Sequence, residues 1–229
     1  VDGDTFNGTY TGAFSDKNVG TGKTVNITSS YSGADVSNYS VTDQSSTTAN
    51  ITAKSLTVSG ITASDKIYDG STSSTLTGTA VYSGLVSGDI FTGSYTGVFA
   101  NANVGTGKTV NITPSYSGAD VSNYSVTDQS TTTANITAKA LTATASASNK
   151  TYDGGTTAST TLTFTGLVGS ETLGQTVGST FDNKNVGSNK TVTVNSITLA
   201  DGSGLAANYS ISAGQTTTAN ITAKSLTVS

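Results

Sequence analysis

Apolar and polar residues alternate with a period of two along much of the chain. In residues 108–113 every second side chain is apolar, and Ala134, Ile136 and Ala138 share one side of a segment whose other side is polar. Such alternation predicts half-buried β-strands. Turn-forming pairs such as Asp69-Gly70 separate the segments, and no stretch sustains the 3.6-residue period of a helix. The pattern therefore predicts an all-β protein.

The strand pattern recurs with a period of 85 residues. Ala-Asn-Ile-Thr-Ala-Lys begins at Ala49, Ala134 and Ala219, and residues 20–54 match residues 105–139 at 33 of 35 positions. A unit of this length with about seven short strands is typical of an immunoglobulin-like sandwich, and it is far longer than a solenoid coil of roughly 20 to 30 residues. The sequence predicts tandem immunoglobulin-like β-sandwich repeats of about 85 residues.

The recurring Ala-Lys pairs predict where the repeats begin and end. We expect a first repeat over 1–54 that is truncated at its N-terminus, a complete second repeat over 55–139, a complete but diverged third repeat over 140–224, and the start of a further repeat at 225–229. Both ends of the chain then fall inside a repeat. This predicts that the chain is part of a longer array.

The inward positions of the strands predict the core of the second repeat. They are apolar residues that alternate with polar neighbours, and most are branched or aromatic. The candidates are Leu56, Val58, Ile61, Ile67, Leu76, Val81, Ile90, Phe91, Phe99, Val110, Ile112, Tyr124, Val126 and Ile136.

Composition limits the chemistry that the chain can carry. It has no Cys, His, Met, Trp or Arg, and roughly a third of its 229 residues are Ser or Thr. Without thiols and imidazoles, disulfides, Cys or His metal sites, cysteine nucleophiles and Ser-His-Asp triads are excluded. Glu171 is the one glutamate, so a carboxylate pair for glycoside hydrolysis would depend on aspartates that lie in turns. We expect no enzymatic activity.

Charge excludes two further classes of partner. The net charge is −4, and the ten cations are scattered lysines, whereas a nucleic-acid partner requires clustered positive charge. No apolar run approaches the roughly 18 residues that cross a bilayer, so we expect no membrane insertion of this segment. The expected partners are the neighbouring repeats of the same chain.

No cofactor is expected, although the oxygen-rich turns leave calcium open. Calcium accepts carboxylate, amide and carbonyl oxygens, but no spacing here matches a known calcium loop. The candidate ligands are Asp16, Asn18, Asp65, Asp69 and Asp89. An isopeptide cross-link through Lys66 or Lys150 and glycosylation of Asn-x-Ser/Thr sites also stay open.

Short motifs recur in the same order along the repeats. Residues 66–70 and 150–154 read Lys-x-Tyr-Asp-Gly, and three further motifs cover residues 14–20, 33–39 and 48–52. Tyr-Asp-Gly predicts a turn in which the tyrosine covers the end of the sandwich, and Asn-Tyr predicts a corner whose tyrosine hydroxyl bonds to nearby backbone. The motif residues are Tyr68, Asp69, Gly70, Tyr152, Asp153, Gly154, Asn38, Tyr39, Asn123, Tyr124, Asn208 and Tyr209.

These motifs resemble the YDG-type repeat of large bacterial haemagglutinin-like and filamentous surface adhesins, and the resemblance covers essentially the whole chain. It implies β-sandwich modules at the bacterial cell surface, outside the cell. It also implies a non-catalytic stalk that extends a binding tip in adhesion and biofilm formation. The third repeat departs from the motif, because Leu205 stands where Asp35 and Asp120 stand in the other repeats.

Two other functions stay open. One is a repeated module that binds surface glycans or matrix by avidity, with tyrosines that stack on sugar rings. Its candidate residues are Tyr31, Tyr82, Tyr95 and Tyr116. The other is self-association by strand complementation into filaments, in which residues 225–229 of one copy complete the first repeat of a neighbour. Residues 196–199 replace the region of Tyr31 and Tyr116 in the third repeat, which favours the spacer.

Overall fold

The computed structural model describes residues 1–228, and these residues form an all-β protein. Its helical segments are three-residue 3-10 turns at Val36–Asn38, Val121–Asn123 and Ala206–Asn208. None of the helices in the described part of the chain is long and apolar enough to cross a bilayer. The predicted fold class, tandem immunoglobulin-like β-sandwich repeats, is confirmed. Ser229, which ends the predicted start of a further repeat, lies outside the described residues.

Twenty-two strands follow one another along residues 1–228. The first four are β1 (Asn7–Phe14), β2 (Gly20–Ser32), β3 (Ser46–Ile51) and β4 (Lys54–Ser59). The next nine are β5 (Thr62–Ala63), β6 (Lys66–Ile67), β7 (Ser73–Ser74), β8 (Leu76–Thr77), β9 (Val81–Ser83), β10 (Thr92–Phe99), β11 (Gly105–Ser117), β12 (Tyr124–Thr127) and β13 (Thr131–Thr137). The last nine are β14 (Lys139–Ala140), β15 (Thr142–Ala147), β16 (Lys150–Thr151), β17 (Thr157–Ala158), β18 (Thr160–Thr165), β19 (Leu173–Phe181), β20 (Gly187–Asp201), β21 (Tyr209–Ser210) and β22 (Thr216–Thr222).

The chain divides into two compact units, each made of separate segments. The first unit consists of Val1–Ile61, Gly78–Tyr95 and Thr113–Ser130. The second consists of Thr62–Thr77, Thr96–Ile112 and the described residues from Thr131 onward. The predicted limits of the repeats stay a prediction.

The first unit contains two three-stranded sheets. One has the order β1-β2-β3 and is antiparallel throughout. In the other, β4 lies between β12, which runs parallel to it, and β9, which runs antiparallel. The register places Leu56 beside Val126. Leu56, Phe91 and Tyr124 are buried together, and Tyr82 packs against them.

The second unit contains two five-stranded sheets of the same design. Their orders are β6-β13-β11-β10-β7 and β16-β22-β20-β19-β17, and β10 and β11 contribute residues 96–99 and 105–112 to this unit. In each sheet a two-residue strand runs parallel to a longer one, which pairs Lys66 with Ile136 and Lys150 with Ile221. This parallel pair matters below, because the Tyr-Asp-Gly turn follows directly from the short strand.

In the third repeat a second, smaller sheet contributes to the buried core. β15 and β18 form a separate antiparallel pair, and Ala147 at the end of β15 packs against the buried residues of the five-stranded sheet. Those residues include Phe181, Val192 and Ile221, each 3% exposed or less. Side chains that alternate along the strands thus bury one face of the sheet, as the sequence pattern indicates.

The predicted core of the second repeat is largely confirmed. Nine of the fourteen candidates are buried, and Leu76 and Val126 are half-buried. Three candidates were wrong: Ile67, Val81 and Ile90 are 62%, 55% and 61% exposed. Each precedes an aromatic residue that points inward, namely Tyr68, Tyr82 or Phe91. Because successive side chains of an extended segment point to opposite faces, the aromatic residue turns the neighbouring aliphatic one outward.

We predict that the same isoleucine-to-alanine change lowers the free energy of unfolding by different amounts in two repeats. Ile136 is 1% exposed, whereas Ile51, its counterpart in the first repeat, is half-buried. Ile136→Ala should lower the free energy of unfolding by about 2 to 5 kcal/mol. Ile51→Ala should cost clearly less. Urea unfolding followed by circular dichroism measures both, and equal losses would contradict the burial difference.

Candidate functional site at the repeat junctions

The Tyr-Asp-Gly turn of the second repeat begins where β6 ends. Alternation along β6 points Lys66 and Tyr68 inward and Ile67 outward. The backbone N–H of Tyr68 donates to the carbonyl oxygen of Thr137 at 2.9 Å, which extends the parallel ladder by one residue. Tyr68 is 5% exposed. Its ring therefore leaves the sheet directly after β6.

Tyr68 is buried by residues of the third repeat. Its hydroxyl donates to Oε1 of Glu171 at 2.7 Å, and its ring meets the ring of Tyr209 edge to face at a centroid distance of 5.4 Å. The hydroxyl of Tyr209 donates to Oε2 of the same Glu171 at 2.5 Å. One carboxylate thus holds the tyrosine of the Tyr-Asp-Gly turn and the tyrosine of the next repeat's corner.

Gly70 brings the backbone of the turn into contact with the third repeat. Its φ is +77°, which favours glycine. A Cβ at this position would lie 2.9 Å from Cγ1 of Val168. Gly154, its counterpart in the third repeat, has a φ of +84° and nothing within 4 Å of a built Cβ. Gly70 is therefore required for conformation and for close packing, and Gly154 for conformation alone.

Asp69 and Lys66 hold the turn in shape. Nζ of Lys66 lies 2.7 Å from Oδ1 of Asp69 and donates to the carbonyl oxygen of Ser71 at 2.9 Å. The ion pair with Lys66 and a backbone hydrogen bond from Ser71 lower the pKa of Asp69. Lys150 and Asp153 form the same pair at 2.8 Å. The lysine and the aspartate of the motif therefore bond to each other within the turn in both repeats.

A second contact joins the Asn-Val motif of one repeat to the Asn-Tyr motif of the next. Oδ1 of Asn208, which is 2% exposed, accepts from the backbone N–H of Val104 at 2.9 Å. Its amide nitrogen donates to Oδ1 of Asn103 at 3.1 Å. At the preceding junction Asn123 accepts from the N–H of Val19, also at 2.9 Å. The same bond therefore occurs at both junctions.

The corner tyrosines bind an acidic residue as well as backbone. The hydroxyl of Tyr124 accepts from the N–H of Val86 at 3.0 Å and donates to Oδ2 of Asp89 at 2.5 Å. In the first repeat the hydroxyl of Tyr39 donates to Asp4 at 2.7 Å. The backbone partner of Tyr124 lies 38 residues away, so this hydroxyl joins β12 to the connection between β9 and β10 rather than closing a local corner.

The junction between the first and second repeats adds an ion-pair triad. Nζ of Lys17 lies 2.7 Å from Oδ1 of Asp89 and 2.6 Å from Oδ1 of Asp120. The hydrogen bonds to Lys17 lower the pKa of both carboxyls, and those to Asp120 and Asp89 raise the pKa of Lys17. At the next junction the corresponding residues are Ala102, Glu171 and Leu205. All three positions differ, and the second junction keeps a carboxylate, Glu171, but has neither the lysine nor the second carboxylate of the triad.

The sequence analysis missed two residues of this site, Lys17 and Glu171. Glu171 was considered only as a lone catalytic acid, and Lys17 only as one residue of the motif at 14–20. A signal was present, because Asp4, Asp89 and Glu171 occupy one position of the repeat. An acid retained in three copies, one of them within a diverged repeat, indicates a shared structural partner. That partner is the corner tyrosine.

The candidate calcium ligands are engaged by other groups. Asp16 pairs with Lys23, Asp69 with Lys66 and Asp89 with Lys17. Asp65 accepts from the backbone and side-chain N–H groups of Asn135 at 2.7 and 2.9 Å, and Asn18 accepts from Asn123 at 3.3 Å. Over residues 1–228, no group of three or more acidic side chains is placed to hold a metal ion. Three of the five candidates are thus paired with lysine ammonium groups, and the other two are bonded to asparagines.

We predict unequal costs for one substitution at the two motif glycines. Placing an L-residue at positive φ costs roughly 1 to 2 kcal/mol, and both Gly70→Ala and Gly154→Ala carry that cost. Gly70→Ala also forces its Cβ against Val168, which should add about 1 to 3 kcal/mol. Urea midpoints of the two variants measure the difference. Equal midpoints would show that the turn does not pack closely on Val168.

We also predict an alkaline limit for this junction. The hydrogen bond to Glu171, followed by burial, raises the pKa of Tyr68 from 10.0 to about 12. A group whose folded pKa is raised stabilises the folded state fully below its unfolded pKa, so this contribution is lost as pH rises from 10 through 12. Tyr68→Phe should cost about 1 to 2 kcal/mol at neutral pH. That difference should shrink above pH 10 in urea titrations, and a difference unchanged up to pH 12 would contradict the assignment.

Comparison with known protein families gives a match that recurs along the chain. A family model described as YDG domain matches the chain three times, over residues 1–49, 52–134 and 137–219. Searches of curated proteins and of solved structures found no match. The three matches cover most of the chain and contain the Tyr-Asp-Gly turns, the acidic residues and the corner tyrosines that form the junctions. The chain therefore belongs to the YDG domain family.

Proposed function

We propose that the chain is a non-catalytic spacer, a run of stalk repeats in a secreted bacterial surface adhesin that holds a binding tip away from the cell. The observation that carries this proposal is the use of the family motif. Tyr68 and Gly70 contact the next repeat, and Asp69 and Lys66 shape the turn that presents them. A motif whose defining residues join one repeat to the next is suited to building length.

The chemistry of the motif supports a mechanical role over a catalytic one. The tyrosine hydroxyl and the aspartate would be the reactive groups of Tyr-Asp-Gly, and both are already bonded. Hydrogen bonding to Glu171 raises the pKa of Tyr68, which makes the phenol harder to ionise. Asp69 is held by Lys66 in an ion pair, so its carboxylate is not directed at a ligand.

The tyrosines proposed for sugar stacking are packed against other rings in the second repeat. Tyr82 and Tyr116 lie 5.2 and 5.0 Å from Phe91 between ring centroids, and Tyr95 lies 6.2 Å from Tyr116. The hydroxyl of Tyr95 donates to that of Tyr82 at 3.2 Å. Rings that cover one another offer less face to a sugar, which favours the spacer over the glycan-binding module.

Self-association by strand complementation stays an alternative, and it requires a second copy of the chain as the partner.

We predict that the chain scatters X-rays as an extended particle. A compact globule of 229 residues has a radius of gyration of about 17 Å, and a spacer should exceed this clearly. A calcium chelator should leave the value unchanged, because lysines pair with three of the four candidate aspartates and Asn135 bonds to the fourth. The same data give the mass, so a dimer that disappears on deletion of residues 225–229 would favour self-association. A compact monomer would overturn both proposals.

A further inference from the structure

The third repeat contains a cleft of about 520 Å³. It lies between residues 140–143 and residues 210–215, and none of these lining residues is charged. Ligand sites usually have volumes of roughly 300 to 1,000 Å³, so the cleft is large enough for a ligand. Both of its walls belong to one repeat, and the corresponding residues of the second repeat, 55–58 and 125–130, allow a direct comparison.

The two walls of the cleft are joined by a shorter ladder than in the second repeat. There β12 pairs with β4 over all four of its residues, 124–127. In the third repeat β21 pairs with β14 over two residues, and a bond of 2.8 Å from the N–H of Leu141 to the carbonyl oxygen of Ser210 ends the ladder. Residues 211–215 then leave the edge of the strand, and this separation opens the cleft.

The backbone groups of Ala143 and Ala145 face this side of β15. Over residues 1–228 β15 has one strand partner, β18, in which Leu162 lies opposite Ala145. The N–H and the carbonyl oxygen of Leu162 bond to the side-chain amide of Gln175 at 3.0 and 2.7 Å, so they are not directed at β15. Opposite residues of an antiparallel pair either bond to each other or both face away. Ala145, and Ala143 two residues earlier, therefore direct their N–H and carbonyl groups away from β18.

In the second repeat a side-chain amide covers the corresponding edge. Counting back from Lys66 and Lys150, Ile61 corresponds to Ala145. The N–H of Ile61 donates to Oε1 of Gln129 at 3.0 Å, and Nε2 of Gln129 donates to the carbonyl oxygen of Ile61 at 2.6 Å. A peptide group of a neighbouring strand would make the same two bonds. An amide is therefore the group that fits this edge.

The third repeat lacks that amide. Gly214 stands at the position of Gln129. The neighbouring Gln215 does not replace it, because its Nε2 donates to the carbonyl oxygen of Ser212 at 2.8 Å. Oε1 of Gln215 is buried and has no partner among the described residues, and a buried acceptor without a partner is rare. The wall of the cleft and the edge of β15 thus both lack partners that a peptide would supply.

Smaller side chains along the strand leave room beside this edge. Val58 and Ile61 are 3% and 4% exposed, whereas their counterparts Ala143 and Ala145 are alanines and half-buried. Residues 142–147 include neither a charged residue nor a proline. Exposed edges commonly use such residues to exclude a further strand, so this edge is open to one.

We propose that this cleft binds an extended, uncharged peptide segment of a partner protein, which adds as a strand to the free edge of β15. The peptide backbone exchanges hydrogen bonds with Ala143 and Ala145, as the amide of Gln129 does with Ile61. A charged side chain would lose its hydration here without gaining a partner. The inference gives one repeat a binding function in addition to the spacer role and does not rest on that role.

A blocked peptide of five residues, in which threonine and valine alternate, tests the proposal on the full chain. In nuclear magnetic resonance titrations the amide signals of Ala143 and Ala145 should shift, and their exchange with solvent should slow. The amide of Ile61 is already bonded to Gln129, so its signal should not change. Equal shifts at Ile61 and Ala145, or no shift at Ala143 and Ala145, would overturn the proposal.

Two N-methylated forms of the peptide separate strand addition from non-specific binding. Successive N–H groups of an extended strand point to opposite sides. Methyl groups on the two valine nitrogens and on the last two threonine nitrogens therefore test opposite edges of the peptide. One form should bind about tenfold or more weakly, since it loses two hydrogen bonds, and the other should bind nearly as the parent does. Equal affinities of the two forms would contradict strand addition.

Two chain variants test the edge of β15. Ala145→Pro removes one N–H and is tolerated where that N–H faces solvent, and Gly214→Gln restores the amide of the second repeat. Each should weaken binding of the peptide by about threefold to tenfold. Thr144→Ala is the matched control, because the backbone of Thr144 faces β18, and it should leave binding unchanged. Circular dichroism establishes that each variant is folded, and folded variants that bind like the unmodified chain would overturn the proposal.

A second copy of the chain is the other occupant that these experiments can detect. Raising the concentration of the chain alone would then shift the amide signals of Ala143 and Ala145, and the mass from X-ray scattering would double. That result would overturn the proposed partner. A spectrum that is independent of chain concentration, together with binding of the peptide, would support it.

Discussion

The arrangement of the repeats depends on one hydrogen bond between a corner tyrosine and a carboxylate. Tyr39, Tyr124 and Tyr209 each donate to an acid of their own repeat, and the three acids occupy one position of the repeat. The two later tyrosines also accept a backbone N–H from the region of that acid. A fixed carboxylate has a second oxygen to offer, and at the junctions a group from the preceding repeat takes it. The same acidic side chain thus binds the corner tyrosine of its own repeat and a group of the preceding repeat.

Several residues of the Tyr-Asp-Gly turn together place its tyrosine against this carboxylate. The parallel pairing of β6 sets the direction of the tyrosine, the ion pair of Lys66 with Asp69 sets the shape of the turn, and Gly70 lets the turn approach Val168. The third repeat carries the same ion pair between Lys150 and Asp153. The ion pair that shapes the turn therefore lies within one repeat and requires no residue of the next one.

Alternation and the 85-residue period were sufficient to predict the fold and most of the core, because strand burial depends on local pattern. They failed at Ile67 and Ile90, where the phase of alternation is set by an adjacent aromatic residue. The junction was beyond reach, since Asn18 and Asn123 meet across 105 residues. Asp89 entered the sequence analysis only as a calcium candidate, because its lysine and tyrosine partners are distant in the chain.

The ion pair between Lys17 and Asp120 occurs at the first junction only, because Ala102 and Leu205 stand at the corresponding positions of the second. A repeat presents one of these residues to its predecessor and the other to its successor, so the ion pair forms only where a repeat with the lysine precedes a repeat with the aspartate. Lys184 stands in the third repeat where Lys17 stands in the first. A copy of the second repeat, with Asp120, would satisfy that lysine, and a copy of the third, with Leu205, would not. The order in which repeats follow one another therefore decides which junctions carry this ion pair.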